Sequence, residues 1–275
     1  MAALVSDPAI AAAAPRAPTQ EAWDAMTPEE QARVDEALPA AMTEAELMPP
    51  EGDPHTTAKS ETRDALRGYY DRIGRSVYIA ADLTVYYPGE RRFSPDVLVV
   101  FDVDPRPRMK WNVAKEKRGL DWVLEVHVAG DLRKDLERNV ALYAQLGIPE
   151  YFIFDRGRLR LSGYYLPDSK ARVYRPILPQ MGRYRSAILD LDLQIDGERL
   201  RFYKGTAELP TPFEMIARLE KLAAERVEFA QQQADLAEQE RARADQAEQR
   251  RREEQERAAA DIAALRAELD RLRRD

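Results

Sequence analysis

The chain contains no cysteine, so disulfides and cysteine-ligated zinc do not arise. It has two histidines, His55 and His127, which leaves little room for a histidine-built metal centre. No stretch approaches the roughly 20 apolar residues of a membrane span. The opening MAALVSDPAIAAAAP lacks a basic leader region, and Asp7 and Pro8 interrupt its apolar run. No signal peptide is read there, and a cytoplasmic protein is expected. Basic residues are scarce at the start: residues 1–55 hold 2 against 11 acidic. Residues 56–210 hold 27 basic and 22 acidic side chains, and residues 211–275 hold 13 and 16. A chain of net charge −7 thus conceals a middle segment of +5. That balance suits a polyanion partner such as DNA, and it also suits an ordinary solvated surface.

What is present divides into three parts. The acidic residues 1–50 read as a largely disordered segment with one short helix, from the N-cap Thr27 and Pro28 to about Leu38. MPPEGDP at 48–54 reads as a linker, and His55 as a residue of that linker. Residues 51–210 read as a globular α/β domain. A helix is expected over 57–73, with Ala58, Ala65, Leu66, Tyr69 and Ile73 as its buried face. Strands are expected at 77–87, 96–101, 121–128 and 150–155, and further ones at 159–166, 172–178 and 198–203. Between 128 and 150, Leu132, Leu136, Val140, Tyr143 and Leu146 recur at helical spacing, with Asp131 as N-cap and Gly147 as stop. Strand, helix, strand favours a parallel crossover.

Residues 211–275 read as one long charged helix, since 213–272 contains neither glycine nor proline. Two positions of a heptad are apolar at both ends, as in Phe213, Ile216, Val227, Ile262, Leu265 and Leu269, and polar from about 241 to 255. The segment is either a coiled coil, joining a second copy or a partner helix through 213–272, or a solitary helix held by pairs such as Glu253–Arg257.

Two carboxylates stand out in the domain. Asp96 opens an apolar strand, and Glu125 lies inside another. An acid in such a strand is expensive to bury unless it is paired or binds a metal. Adjacent strands would let both share one hard cation such as Mg²⁺. Separate salt bridges to arginines are the other reading. His127 falls on the same strand face as Glu125, because side chains alternate.

PDVLVV at 95–100, VLEV at 123–126, a following helix with RKD and Tyr143, and LGIPEYFIFD at 146–155 resemble the Uma2 family of the PD-(D/E)XK nuclease superfamily, over about residues 45–205. The resemblance implies a restriction-endonuclease-like mixed β-sheet flanked by helices. It implies Asp96 and Glu125 as metal ligands and Mg²⁺-dependent hydrolysis of DNA phosphodiesters. Such families place a lysine two residues after the second acid or four residues after the helix aspartate. Here those positions are His127 and, four after Asp135, Asn139. Lys134, Lys115 or Lys117 could substitute, or each could be a solvated surface lysine; His127 could serve as a base, or be a structural residue. The missing lysine favours a rival reading: a catalytically inactive nuclease-fold adaptor that associates through its C-terminal helix, with weak or absent cleavage. An intracellular scaffold without a nucleic-acid role is a third.

Overall fold

The structure, a computed structural model, describes residues 15–43, 52–129 and 134–272, apart from the side chains at 134–135 and 267–272. Two short helices open it, α1 (Gln20–Asp24) and α2 (Pro28–Ala37). They precede the long α3 (Gly52–Ile73). Strands β1 (Val77–Ala81), β2 (Val85–Tyr86), β3 (Val97–Phe101) and β4 (Trp111–Asn112) lead to the single-turn α4 (Val113–Glu116). Then come β5 (Trp122–His127), a π-helical turn (Lys134–Asn139) and α5 (Val140–Gln145). The domain ends with β6 (Glu150–Asp155), β7 (Arg160–Tyr165), β8 (Arg175–Pro176), β9 (Tyr184–Ser186), β10 (Leu191–Asp196), β11 (Arg199–Lys204) and β12 (Ala207–Glu208).

The central sheet runs β1-β3-β5-β6-β7-β8. It is mixed: β5 and β6 are parallel, and the other neighbours antiparallel. The parallel pair is the crossover expected from strand–helix–strand order, and the chain between, residues 128–149, is long enough for the crossover that parallel neighbours need. Its central strands are apolar on both faces because both faces are covered. Trp122, Leu124, Val126, Phe152 and Phe154 face a core closed by Leu66 and Tyr70 of α3 and by Leu191, Leu193 and Phe202 of a second sheet, β12-β11-β10-β9. Val123, Tyr151 and Ile153 face a second core closed by Trp111, Tyr143 and Ala144. Strand β10, with its alternating LDLQID, was not anticipated from the sequence, and 172–178 yields only the two-residue β8.

Of the acidic first segment, residues 15–43 are ordered on the domain, against the expectation of general disorder there. Apolar pins and side-chain bonds to backbone account for it. Trp23 and Leu38 are buried, and Ala17 and Leu38 cluster with Tyr86. The Tyr86 hydroxyl donates to Pro39 O (2.8 Å), Thr84 to Ala40 O (2.7 Å) and Arg92 to Ala41 O (2.7 Å). Asp35 accepts from Asn112 (2.9 Å) and Lys115 (2.6 Å), while Lys110 caps the α2 carbonyls of Asp35 and Leu38. The helix from Thr27 is as read: Thr27 and Glu30 form a reciprocal capping box around Pro28.

The expected linker and the Asp131 N-cap lie largely outside the described residues. At 52–54, however, α3 has already begun, so it starts five residues before the expected 57 and takes in His55. Pro54 is tolerated there because first-turn N–H groups have no helical partner. The remaining unit is one helix, α6 (Pro212–Leu272). Among the described residues, no helix is long and apolar enough to cross a membrane.

Candidate active site

The antiparallel register of β3 and β5 pairs Val97 with Leu124. Asp96 lies one residue before that pair on its chain and Glu125 one residue after it, two acids at one end of an otherwise apolar strand pair. The Asp96 carboxylate is fixed from both sides. Its Oδ2 accepts the Val126 N–H at 2.7 Å. Its Oδ1 lies 3.1 Å from His55 Nε2 and 3.6 Å from Lys59 Nζ. His55 and Lys59 are four residues apart on α3, hence on one face. That face continues inward as Thr62, Leu66 and Tyr70, so the packing of the helix stripe presents its polar end to Asp96. Burial alone would push the Asp96 carboxyl up. The His55 bond, the Val126 N–H and Lys59 outweigh it and hold the group below its ordinary value.

Glu125 is buried and held from the crossover. Its Oε1 accepts the Tyr143 hydroxyl at 2.7 Å and the Asn139 amide at 3.4 Å. Asn139 closes the π-helical turn and Tyr143 lies one helical turn further on, in α5. Both therefore reach the same carboxylate, a placement typical of π-turns beside functional groups. His127, 2% exposed, occupies the end of β5, with Asp155 as its Cα partner on β6.

The profile of the family described as Uma2, putative restriction endonuclease, matches residues 41–196, more than half of the chain. The chain belongs to the Uma2 family. A putative nuclease belonging to DUF820 from Anabaena variabilis ATCC 29413 is a structural neighbour at 13% identity and TM-score 0.40, covering 54% of this chain and 80% of its own. A search of curated proteins finds no match.

For a Uma2 chain, the basic groups fall in unexpected places. Lys134 begins the π-helical turn, but its side chain lies outside the described residues. Lys115 is engaged by Asp35, and Lys117 closes α4 in a left-handed conformation. In the RGRLR run, Arg156 pairs with Glu198 (2.8 Å) and Arg158 with Asp155 (3.0 Å). The lysine that contacts Asp96 is Lys59, which sequence reasoning passed over. His55, read as a linker residue, is its helical companion. The signal was present: His55 and Lys59 extend the apolar stripe of Ala58, Ala65 and Leu66 at helical spacing. His55 was missed because the helix was begun too late, and Lys59, inside the expected helix, passed as part of its polar face.

Among the described residues, no group of three or more acidic or histidine side chains is gathered around a metal position. Asp96 and Glu125 offer two carboxylates. Such a set fits Mg²⁺, which commonly takes one or two carboxylates and completes its shell with water and substrate phosphate.

Proposed function

We propose that this Uma2 protein is a Mg²⁺-dependent endonuclease that hydrolyses DNA phosphodiester bonds, with Asp96 and Glu125 as the metal ligands. The observation that carries the reading is two acids at one end of neighbouring strands, Asp96 held ionised beside His55 and Lys59 and Glu125 buried under a tyrosine hydroxyl. Apolar strands do not carry such a pair for stability, since an apolar pair of like volume costs less to bury. Bound Mg²⁺ would supply charge neutralisation at the phosphate and a water of lowered pKa. The chain's own residues orient that chemistry. Val126 N–H fixes the Asp96 carboxylate, and Tyr143 and Asn139 fix Glu125. In the reaction a water oxygen bonds to phosphorus as the bond from phosphorus to one sugar oxygen breaks. That oxygen leaves with the bonding pair and takes up a proton, while the water loses one. A phosphomonoester and a hydroxyl result.

A basic domain supports DNA as the substrate. Beside α3 a groove of about 420 Å³ carries Arg156, Arg199 and Arg201, interleaved with Glu61 and Glu198. In this reading α6 is the association element, a coiled coil with a second copy, supported by the exposed Phe213, Ile216, Val227, Ile262 and Leu265 at heptad positions.

The test is nicking of supercoiled plasmid with Mg²⁺ or Mn²⁺. Cutting is expected from the native chain and not from Asp96→Ala or Glu125→Ala; His127→Ala, assayed alongside, reports whether that imidazole takes part. DNA binding with no cutting in either metal would favour the adaptor reading, to which His127 and Asn139 at the family's lysine positions point.

A further inference from the structure

Attack on a phosphodiester gathers negative charge on the phosphoryl oxygens, and a positioned cation lowers that barrier. The positions where the family pattern supplies one hold His127 and Asn139. We propose that Lys59, delivered by α3, is the phosphate-binding cation of this site, and that Asp82 holds its ammonium in place until a phosphate displaces that carboxylate. The proposal rests on the reading of Asp96 and Glu125 as the reacting centre.

Lys59 is 9% exposed, although lysine rarely gives up solvent unless something holds it. Its Nζ donates to both Asp82 oxygens, at 2.8 and 2.9 Å, and stands 3.6 Å from Asp96 Oδ1. An ammonium has three N–H groups, so one remains for a group at the Asp96 end. The two partners differ in kind. The Asp96 side chain is 13% exposed and is fixed by backbone, whereas that of Asp82 is 61% exposed. Asp82 is built to sit there: it follows β1 in a left-handed conformation (φ 53°), which Asp tolerates better than most residues. Its own N–H donates to Asp96 O at 3.3 Å. An ion pair with so exposed a partner is weak and easily exchanged. A phosphodiester drawn to Asp96 and Glu125 comes within reach of the same ammonium and competes with Asp82 for it. Among the described residues, Lys110 and Lys115 are committed to the α2 end and Arg156 to Glu198.

A lysine that only strapped α3 to the β1 turn would give different results. The experiment compares the native chain with Lys59→Met, Lys59→Arg, Asp82→Asn and Asp96→Ala. It reads plasmid nicking, Mn²⁺ affinity without DNA by electron paramagnetic resonance, and the urea midpoint. Lys59→Met is expected to slow nicking by about 10²–10³-fold. It should also tighten Mn²⁺ several-fold, because a positive charge beside Asp96 opposes a bound cation. Lys59→Arg keeps the charge and should recover most of the loss. Asp82→Asn removes the competitor and should speed nicking about two- to five-fold. If the native chain cuts, Asp96→Ala does not, and Lys59→Met cuts like the native chain with unchanged Mn²⁺ affinity, the role of Lys59 is overturned while the nuclease reading stands. If the native chain does not cut, both fall. Should Lys59→Met fail to fold, loss of cutting in both Lys59→Arg and Asp82→Asn overturns the proposal, since the pair would then be structural.

Discussion

Tyr143→Phe deletes one oxygen from the middle of the site and little else. The ring stays between Phe93 and Tyr151, whose centroids lie 5.3 and 5.0 Å away. What disappears is the donor 2.7 Å from Glu125 Oε1, between side chains that are 2% and 6% exposed. Hydrogen bonds to charged groups contribute about 1.5–3 kcal/mol net, and neutral ones about 1 kcal/mol. If Glu125 is the anion that a metal ligand must be, the substitution should cost about 2 kcal/mol. With a urea slope of about 2–3 kcal/mol/M, the midpoint falls by about 0.7–1 M.

Tyr174→Phe supplies the control. The Tyr174 hydroxyl is also buried and donates at the same 2.7 Å, but to the carbonyl of Ile148. Its loss should cost about 1 kcal/mol. Urea unfolding of both variants at neutral pH, followed by tyrosine and tryptophan fluorescence, measures the difference directly. A Tyr143→Phe cost no greater than that of Tyr174→Phe would refute the claim that this hydroxyl secures a carboxylate. The metal-ligand assignment of Glu125 would then lose its electrostatic footing.

Gly157→Ala should destabilise the domain by about 3 kcal/mol, because the added Cβ would lie 2.1 Å from the Val128 carbonyl oxygen, where backbone meets backbone; a thermal midpoint within a degree of the native one would contradict this. Asp35 is pushed up by burial but held below its ordinary 3.8 by Lys115 and Asn112. Its folded-state value is the lower one, so its contribution is complete above about pH 4 and lost as pH falls through that depressed value. Hydrogen exchange in α2 should therefore quicken in acid, and in Asp35→Asn it should already be fast at pH 7, by the equivalent of about 1 kcal/mol once the half-exposed Lys115 is discounted. The isolated segment 213–272 should show helicity that rises with concentration in circular dichroism; a signal independent of concentration would mark a solitary helix.

The strands nearest the site were the most legible part of the sequence. Runs such as DVLVVF and EYFIFD are apolar at every step, a pattern that a strand covered on both faces imposes. Their ends fell within a residue or two of β3, β5 and β6. The crossover was legible for a related reason, since Val140 and Tyr143 repeat at helical spacing before Gly147. What resisted were elements whose order comes from partners distant in sequence. β10 is a modest alternating strand that β9 and β11 complete. Residues 15–43 look like acidic coil until Tyr86, Arg92 and Lys110 donate to their carbonyls, across separations of 47 to 75 residues.

The site divides along the same line. Asp96 and Glu125 were readable because an acid in an apolar strand contradicts its surroundings. His55 and Lys59 contradict nothing, because a polar end is what an amphipathic helix is expected to have. A search for the lysine along β5 or the crossover helix assumes that chemistry depends on spacing from Glu125. Phosphate chemistry depends instead on where a charge stands, and Lys59 Nζ stands 3.6 Å from Asp96 Oδ1. Helix α3 reaches that point because Ala58, Leu66 and Tyr70 seat it on the sheet, and the four-residue period then carries His55 and Lys59 past the sheet's end. The core packing of α3 thus selects which of its polar residues meet Asp96. Substitutions at Leu66 or Tyr70 that shift the helix without unfolding it should disturb the site as surely as a change at Lys59.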